Sequence, residues 1–471
     1  MNSKRFRSIY ALSLGKMGGA FFGFLRNIII ARLIGVEDFG IAAVFSIIIF
    51  IVECSSDLAL DRLIVQADDG NSDRLLGSAH FLQFIKGILT GLVLFLFSGL
   101  IVSVFSIPEA KWAIQLLALS PIIRGFVHFD VARKQRDRNF LPLASVEFFP
   151  HALACIAAVP LCYIFQDYSA SLYTNLLHVF LYTAVSHISA EKKYRWYIAK
   201  EHLIRILTFS YPLMINGVLL SIANQGDRFL IGNKFGVEVL GWFSTAFNLT
   251  YLAASMLIML VQSYFLPFLS EVKYDSNKYN ERANFVFQIS FVCSLALISA
   301  GVFAGPSFLL IIYGMDYSQG ATVIGLLAVM QGFKMARSGF NTAAMAIAKT
   351  KLIMLATFAR LSGFLIAIIV VYIGGSIENV IWCGIIGEVI GLTFIFVSLV
   401  KNSSLNFNNT IYNLAFMIIM IVLSFHLSGK ITFDGSLFSQ LLFGIFLSLF
   451  VCLLYAFFLA NIRGKILGLL R

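Results

Sequence analysis

Basic side chains stand inside long apolar stretches of this chain at Lys16, Arg26, Lys86, Arg124, Arg228, Lys334, Arg337 and Arg360. A charge at the centre of a bilayer costs at least about 2.5–3.5 kcal/mol on insertion scales, so a cation kept there faces a wet cavity or an acid. Lys86 lies near the end of its stretch, where its stem can snorkel to the interface. Lys16 and Arg26 are ten residues apart, roughly 80° around a helix axis, so both can line one lumen at different depths. Lys334 and Arg337 are one turn apart. With Arg124, Arg228 and Arg360 they form a cationic set drawn from both halves of the chain. The ligand such a set fits is an anion, for instance a phosphate or diphosphate held by guanidinium forks.

Acids are scarcer. Glu53, Asp57 and Asp61 repeat every four residues and are expected to form one helical stripe, Asp227 precedes Arg228, and Glu388 is isolated. Glu53, Asp57, Asp227 and Glu388 can serve as sites for a coupling proton or sodium ion, or as salt-bridge partners for the cations. His128 and His151 fit either proton relay or structural hydrogen bonding.

The elements that position these residues follow from composition. Of 471 residues, 59% are hydrophobic and 13% charged, against about 45–50% and about 25% in soluble domains. The surrounding solvent is therefore lipid, which excludes an ordinary soluble enzyme. Taking about 20 apolar residues per crossing, fourteen segments qualify: 9–31, 40–61, 79–105, 112–132, 141–165, 170–190, 206–231, 239–266, 284–312, 319–347, 352–373, 378–399, 411–428 and 437–462. The basic start, Lys4, Arg5 and Arg7, leads into a first membrane helix with no A-x-A-like cleavage site after it.

Lys and Arg crowd every second connection, whereas the alternate ones hold only Arg32, Lys111, Lys234 and Lys430. This bias places both termini, including Arg463, Lys465 and Arg471, in the cytoplasm. The excess of 35 basic over 24 acidic residues is thus a topology signal and excludes a nucleic-acid partner. The six cysteines stand singly, with no C-x-x-C pair and no metal-site spacing. No nucleotide-binding loop or H-E-x-x-H is present, and the connections are too short for a catalytic domain, so neither a cofactor nor an enzymatic reaction is expected.

The chain also repeats itself. A shift of 201 residues lays Gly35-Val36-Glu37-x-x-Gly40 over Gly236-Val237-Glu238-x-x-Gly241, and Arg26-Asn27 over Asp227-Arg228. Duplicated bundles with a binding site at the membrane midplane are a common transporter plan. The expected fold is an all-α membrane protein of about fourteen helices: a six-helix bundle at 1–190, a basic cytoplasmic linker at 191–205, a second six-helix bundle at 206–400 and two added helices in 401–471, with a central cavity. Gly15, Gly19 and Gly23 allow close helix approach in the first segment.

The stretches RNIIIARLIGVEDFG (26–40), SDLALDRLIVQ (56–66), RKQRDRNF (133–140) and DRFLIG (227–232) resemble the polysaccharide flippases of the multidrug/oligosaccharidyl-lipid/polysaccharide exporter superfamily. The resemblance runs through nearly the whole chain in order. It implies two six-helix bundles around a central cavity. It also implies a role in flipping an undecaprenyl-diphosphate-linked oligosaccharide, an O-antigen or exopolysaccharide repeat unit, across the bacterial inner membrane, with an ion gradient as drive. Membrane lipids, and polysaccharide polymerase and chain-length proteins, are the partners it implies. Arg26 and Arg228 fall within matching motifs; Lys16, Arg124, Lys334, Arg337 and Arg360 rest on the cavity argument alone. The alternative is a cation-coupled multidrug exporter, whose lipophilic cations would suit an acidic or aromatic cavity better than a basic one.

Overall fold

A computed structural model describes residues 3–402, 408–430 and 435–459; the expected cytoplasmic tail with Arg463, Lys465 and Arg471 lies outside the described residues. Among the described residues the regular structure is helical throughout. The chain forms two compact units, Met1–Gly241 and Trp242–Arg471.

The first unit holds α1 (Ser3–Leu33), α2 (Val36–Ser55), α3 (Leu60–Gln66), α4 (Asp73–Leu96), α5 (Ser98–Phe105), α6 (Lys111–Leu117), α7 (Leu119–Arg124), α8 (Asp130–Arg136), α9 (Leu141–Phe165), α10 (Ser169–Ile188) and α11 (Lys200–Phe235). The long helix α12 (Val237–Ser270) begins there. The second unit continues with α13 (Ser276–Phe303), α14 (Gly305–Tyr313), α15 (Ser318–Ala346), α16 (Thr350–Tyr372), α17 (Ile377–Asn402), α18 (Asn408–Lys430) and α19 (Leu437–Phe458).

Among the described residues each expected segment is largely helical, but ten helical runs are long and apolar enough to cross a membrane. The segments at 9–31, 112–132, 170–190 and 319–347 do not meet that measure. Two carry the charges singled out above, Lys16 and Arg26 in α1, Lys334 and Arg337 in α15.

The segment at 112–132 is broken into α6, α7 and α8. Pro121 is one cause: its ring opposes the carbonyl four residues back, at Leu117, where α6 stops. The turn after α7 is closed by side chains, with Gln83 Nε2 donating to the Arg124 carbonyl at 3.2 Å and His187 Nε2 bonded to the Phe126 carbonyl at 2.8 Å.

The segment at 40–61 is also divided. Ser56 Oγ donates to the Val52 carbonyl at 2.6 Å and Asp57 Oδ1 accepts the Ala59 N–H at 2.9 Å, while Ala59 adopts φ +48°. Short polar side chains that bond their own backbone compete with helix in this way. The expected stripe of Glu53, Asp57 and Asp61 is therefore corrected: Asp57 sits in the turn between α2 and α3. Arg62 Nη2 lies 3.9 Å from Asp57 Oδ2.

The glycine motif of the repeat meets its own copy. A Cβ at Gly40 would stand 1.8 Å from the Val237 carbonyl oxygen, and one at Gly241 2.2 Å from that of Val36. The first turns of α2 and α12 thus touch backbone to backbone, each through the glycine that closes its motif. On α1, Gly15 and Gly19 also admit α9 closely, a Cβ there standing 2.8 Å from Ala144 and 2.4 Å from the Glu147 carbonyl oxygen.

Residues 190–199 join α10 to α11 without helix. The fully buried Asp130 accepts the Glu191 N–H at 2.8 Å and also pairs with Arg133, and Lys134 Nζ lies 2.9 Å from Glu191 Oε1. The Lys134 hydrogen bond, and then its charge, hold the Glu191 carboxyl below the ordinary carboxylate range. A depressed folded value means that the contact contributes fully above the unfolded value, about 4.3, and is lost as pH falls through the folded one. Amide protection factors for 190–199, corrected for intrinsic exchange, are expected to hold steady down to about pH 4.5 and to drop below it. Protection that varies equally between pH 5 and 8 would contradict this.

Candidate functional site

In the first unit, a cavity of about 430 Å³ is lined by Lys16, Arg124, Lys86 and Arg62 together with Glu53, Asp57, Asp61 and Glu147. Two of the expected cations, Lys16 and Arg124, are brought together here. Lys86, read from its position as a snorkelling residue, joins them. Arg124 Nη1 donates to Glu53 Oε1, and the Tyr182 ring lies 5.2 Å from its guanidinium carbon. Four carboxylates match four cations, so this cavity is polar and charge-balanced rather than basic. Glu147 was not anticipated; its only signal was a lone acid in the apolar stretch of α9.

Arg26 is not among the residues lining that cavity. Its charge acts on His151 of α9 and His178 of α10, whose rings stand 4.2 Å apart, and Gly23, one turn before Arg26, leaves room for His151. Among the described residues Arg26 Nε and Nη1 are shielded from solvent without a hydrogen-bond partner, as are His151 Nδ1 and His178 Nε2. Arg228 on α11 is 4% exposed and donates from Nη1 to Gln225 Oε1, one turn earlier, at 3.1 Å. Asp227 beside it is half-buried.

The second unit brings four of the expected residues together. Glu388 on α17 is 1% exposed, and its Oε2 accepts from Arg337 Nε of α15 at 3.1 Å, with Arg337 Nη2 also at 3.1 Å. Arg360 Nε of α16 lies 2.6 Å from the other carboxylate oxygen. Lys334, one turn before Arg337, holds its ammonium 4.7 Å from the centre of the Tyr251 ring on α12. In the same electrostatic neighbourhood, three cations share one acid. The geometry of Glu388 is that of a counter-ion, and basic side chains outnumber acids in the cluster three to one.

Residues 29–322 match the family described as polysaccharide biosynthesis protein. The chain belongs to that family. Among its relatives, an uncharacterized membrane protein in the cps region of Klebsiella pneumoniae is 22% identical over 375 residues, 78% of this chain and 75% of that one. The succinoglycan biosynthesis transport protein ExoT of Rhizobium meliloti is 21% identical over 68% of this chain and 64% of its own.

Solved structures show which fold this polysaccharide biosynthesis protein has. It aligns with the lipid II flippase MurJ in an inward closed conformation at a TM-score of 0.75, covering 97% of this chain and 99% of that one with 16% identity. An inward-facing multidrug resistance MATE transporter of the MOP superfamily aligns at 0.68, over 84% of this chain and 99% of its own, with 14% identity. The protein is a multi-pass, all-helical membrane protein with the fold shared by these transporters.

Proposed function

We propose that this chain is a flippase that carries an undecaprenyl-diphosphate-linked oligosaccharide repeat unit, of O-antigen or exopolysaccharide type, from the cytoplasmic to the periplasmic leaflet of the bacterial inner membrane. Transport proceeds by ion-coupled alternating access with both termini in the cytoplasm, and no covalent bond changes. The observation that carries the reading is the excess of cation over acid at Lys334, Arg337, Arg360 and Glu388 in a member of a polysaccharide biosynthesis family. Arg26 and Arg228, both buried guanidinium groups, extend the anion-binding set, and Lys16 and Arg124 line the polar cavity in the first unit.

A MATE-like exporter of lipophilic cations is the weaker reading, because an excess of buried positive charge repels that cargo. Within the proposal, residues 1–190 and 206–400 act as the two transport bundles, 191–205 as their linker and 401–471 as an added pair, with polymerase and chain-length proteins taking the delivered unit. Of the candidate coupling residues Glu53, Asp57, Asp227 and Glu388, Glu53 is held by Arg124 and Glu388 by Arg337 and Arg360, which leaves Asp57 and Asp227 for the coupling ion. Asp57 has the most freedom, since it is half-exposed and 3.9 Å from Arg62.

Each hydrogen bond to a charged group contributes about 1.5–3 kcal/mol. Replacing both Arg228 and Lys334 by Gln is therefore expected to lower surface polysaccharide by about tenfold or more, measured in cells where membrane insertion of the variant is verified. Wild-type polysaccharide in the inserted double variant would remove the anion-carrying role from these residues.

A further inference from the structure

The connection between α10 and α11 is fixed by a block of histidines. His80 Nδ1 bonds the Arg195 carbonyl at 3.2 Å while its Nε2 accepts the Phe129 N–H at 3.1 Å. His128 does the same with its nitrogens exchanged, Nε2 to the Lys192 carbonyl at 2.9 Å and Nδ1 from the Asp130 N–H at 3.1 Å. Tyr194 stacks on His80 with ring centres 4.3 Å apart, and Trp196 on Phe84 at 4.6 Å. The backbone is thereby pinned, and the residues alternating with these anchors are presented in a fixed array.

Beneath that array is a second cavity, of about 270 Å³, lined by Asp73, His80, Lys192, Lys193 and Arg195 with Leu76 and Gly77. The only carboxylate among these is already engaged, since Lys192 Nζ lies 2.5 Å from Asp73 Oδ1 and 2.5 Å from the Asn71 carbonyl. Among the described residues, neither Lys193 nor Arg195 has a carboxylate within 4.0 Å, although the Arg195 charge also acts on Asp73. Immediately after them, Trp196, Tyr197 and Ile198 are 48%, 43% and 72% exposed. Trp and Tyr beside Lys and Arg are the composition of a membrane–water interface, where basic side chains are drawn to anionic headgroups.

We propose that this cavity is a docking site for the phosphate of an anionic lipid in the cytoplasmic leaflet, with Lys193 and Arg195 as its ligands and Trp196, Tyr197 and Ile198 seated among the adjoining chains. The site rests on the cytoplasmic orientation proposed above and is separate from the cation set assigned to transport. Its ligand chemistry is a lipid-borne phosphate, supplied either by an acidic phospholipid or by the prenyl diphosphate carrier.

The test uses the full chain in phosphatidylcholine nanodiscs, titrated with dihexanoyl-phosphatidylglycerol, farnesyl diphosphate and dihexanoyl-phosphatidylcholine while tryptophan emission is followed; a Trp196→Phe variant identifies the signal. Both anionic lipids are expected to give a saturable change that the zwitterionic one does not. Lys193→Gln with Arg195→Gln should raise the apparent Kd about tenfold or more, as the loss of two such charge contacts implies. Tighter binding of farnesyl diphosphate assigns the site to carrier loading; tighter binding of phosphatidylglycerol assigns it to a resident phospholipid. Phosphatidylglycerol carries no prenyl diphosphate, so its titration reads this site whatever the cargo, and failure of the cargo reading leaves that result standing. No saturable signal, an equal response to phosphatidylcholine, or an unchanged Kd in the Lys193, Arg195 variant would each overturn the proposal.

Discussion

Glu388→Gln is expected to lose about 3–5 kcal/mol of stability, the cost of breaking a buried ion pair from one side. The substitution keeps the shape of the side chain and removes its charge. It leaves Arg337 and Arg360, whose side chains are 7% and 13% exposed, without the acid that both contact. Lys334, one turn before Arg337, is a third basic side chain in the same neighbourhood. Thermal unfolding of the detergent-solubilised protein, followed by intrinsic fluorescence, should show a marked fall in Tm. Converting Arg337, Arg360 and Glu388 together to methionine should restore most of the loss, because replacing a whole buried ionic group by apolar residues is often neutral or stabilising. Such a rescued protein would separate folding from function, since it should be stable yet poor in glycan export. If Glu388→Gln melts like wild type, the three side chains are more hydrated than their burial indicates, and the cation excess loses its role as the carrier of the functional reading.

The cations themselves were visible in the sequence, because a charge in an apolar run stands out whatever its surroundings. Their partners were not. Arg124 meets Glu53 across 71 positions and Arg337 meets Glu388 across 51, and helical spacing rules reach only three or four residues. Reading α2 as continuous through Asp61 failed for a different reason. Apolar composition carried the pattern past Ser55, Ser56 and Asp57, whereas the hydrogen bonds of those short polar side chains decided the backbone. Pro121 gave an explicit warning of the break after Leu117 that hydropathy outweighed. The histidine block around 190–199 was the least legible part. His80, His128 and His187 are far apart in sequence, and their common contact, Tyr194, belongs to a connection without helix. A lone histidine in an apolar helix is ambiguous until its carbonyl and N–H partners are seen.

The repeat was legible as sequence, and its physical meaning yields the second large effect. Gly40→Ala and Gly241→Ala should each destabilise the protein by about 1–3 kcal/mol or more, the range for overpacking a tight contact. A Cβ added at either position would stand 1.8 or 2.2 Å from a backbone oxygen, and neither oxygen can rotate away as a flexible side chain would. The first turns of α2 and α12 must therefore separate. Because the two clashes lie at one crossing, a separation forced by the first substitution also accommodates the second. The double variant should then cost clearly less than the sum of the singles, the non-additivity expected of residues in contact. Gly35→Ala is the matched control: its Cβ would meet only Asp38 Oδ2, at 3.6 Å, and its φ of −65° suits any residue, so its Tm should stay near wild type. Additive losses from Gly40 and Gly241, or a control as damaging as either, would mean that the two motif copies do not close against one another. The repeat would then mark two independent helix starts instead of one shared contact.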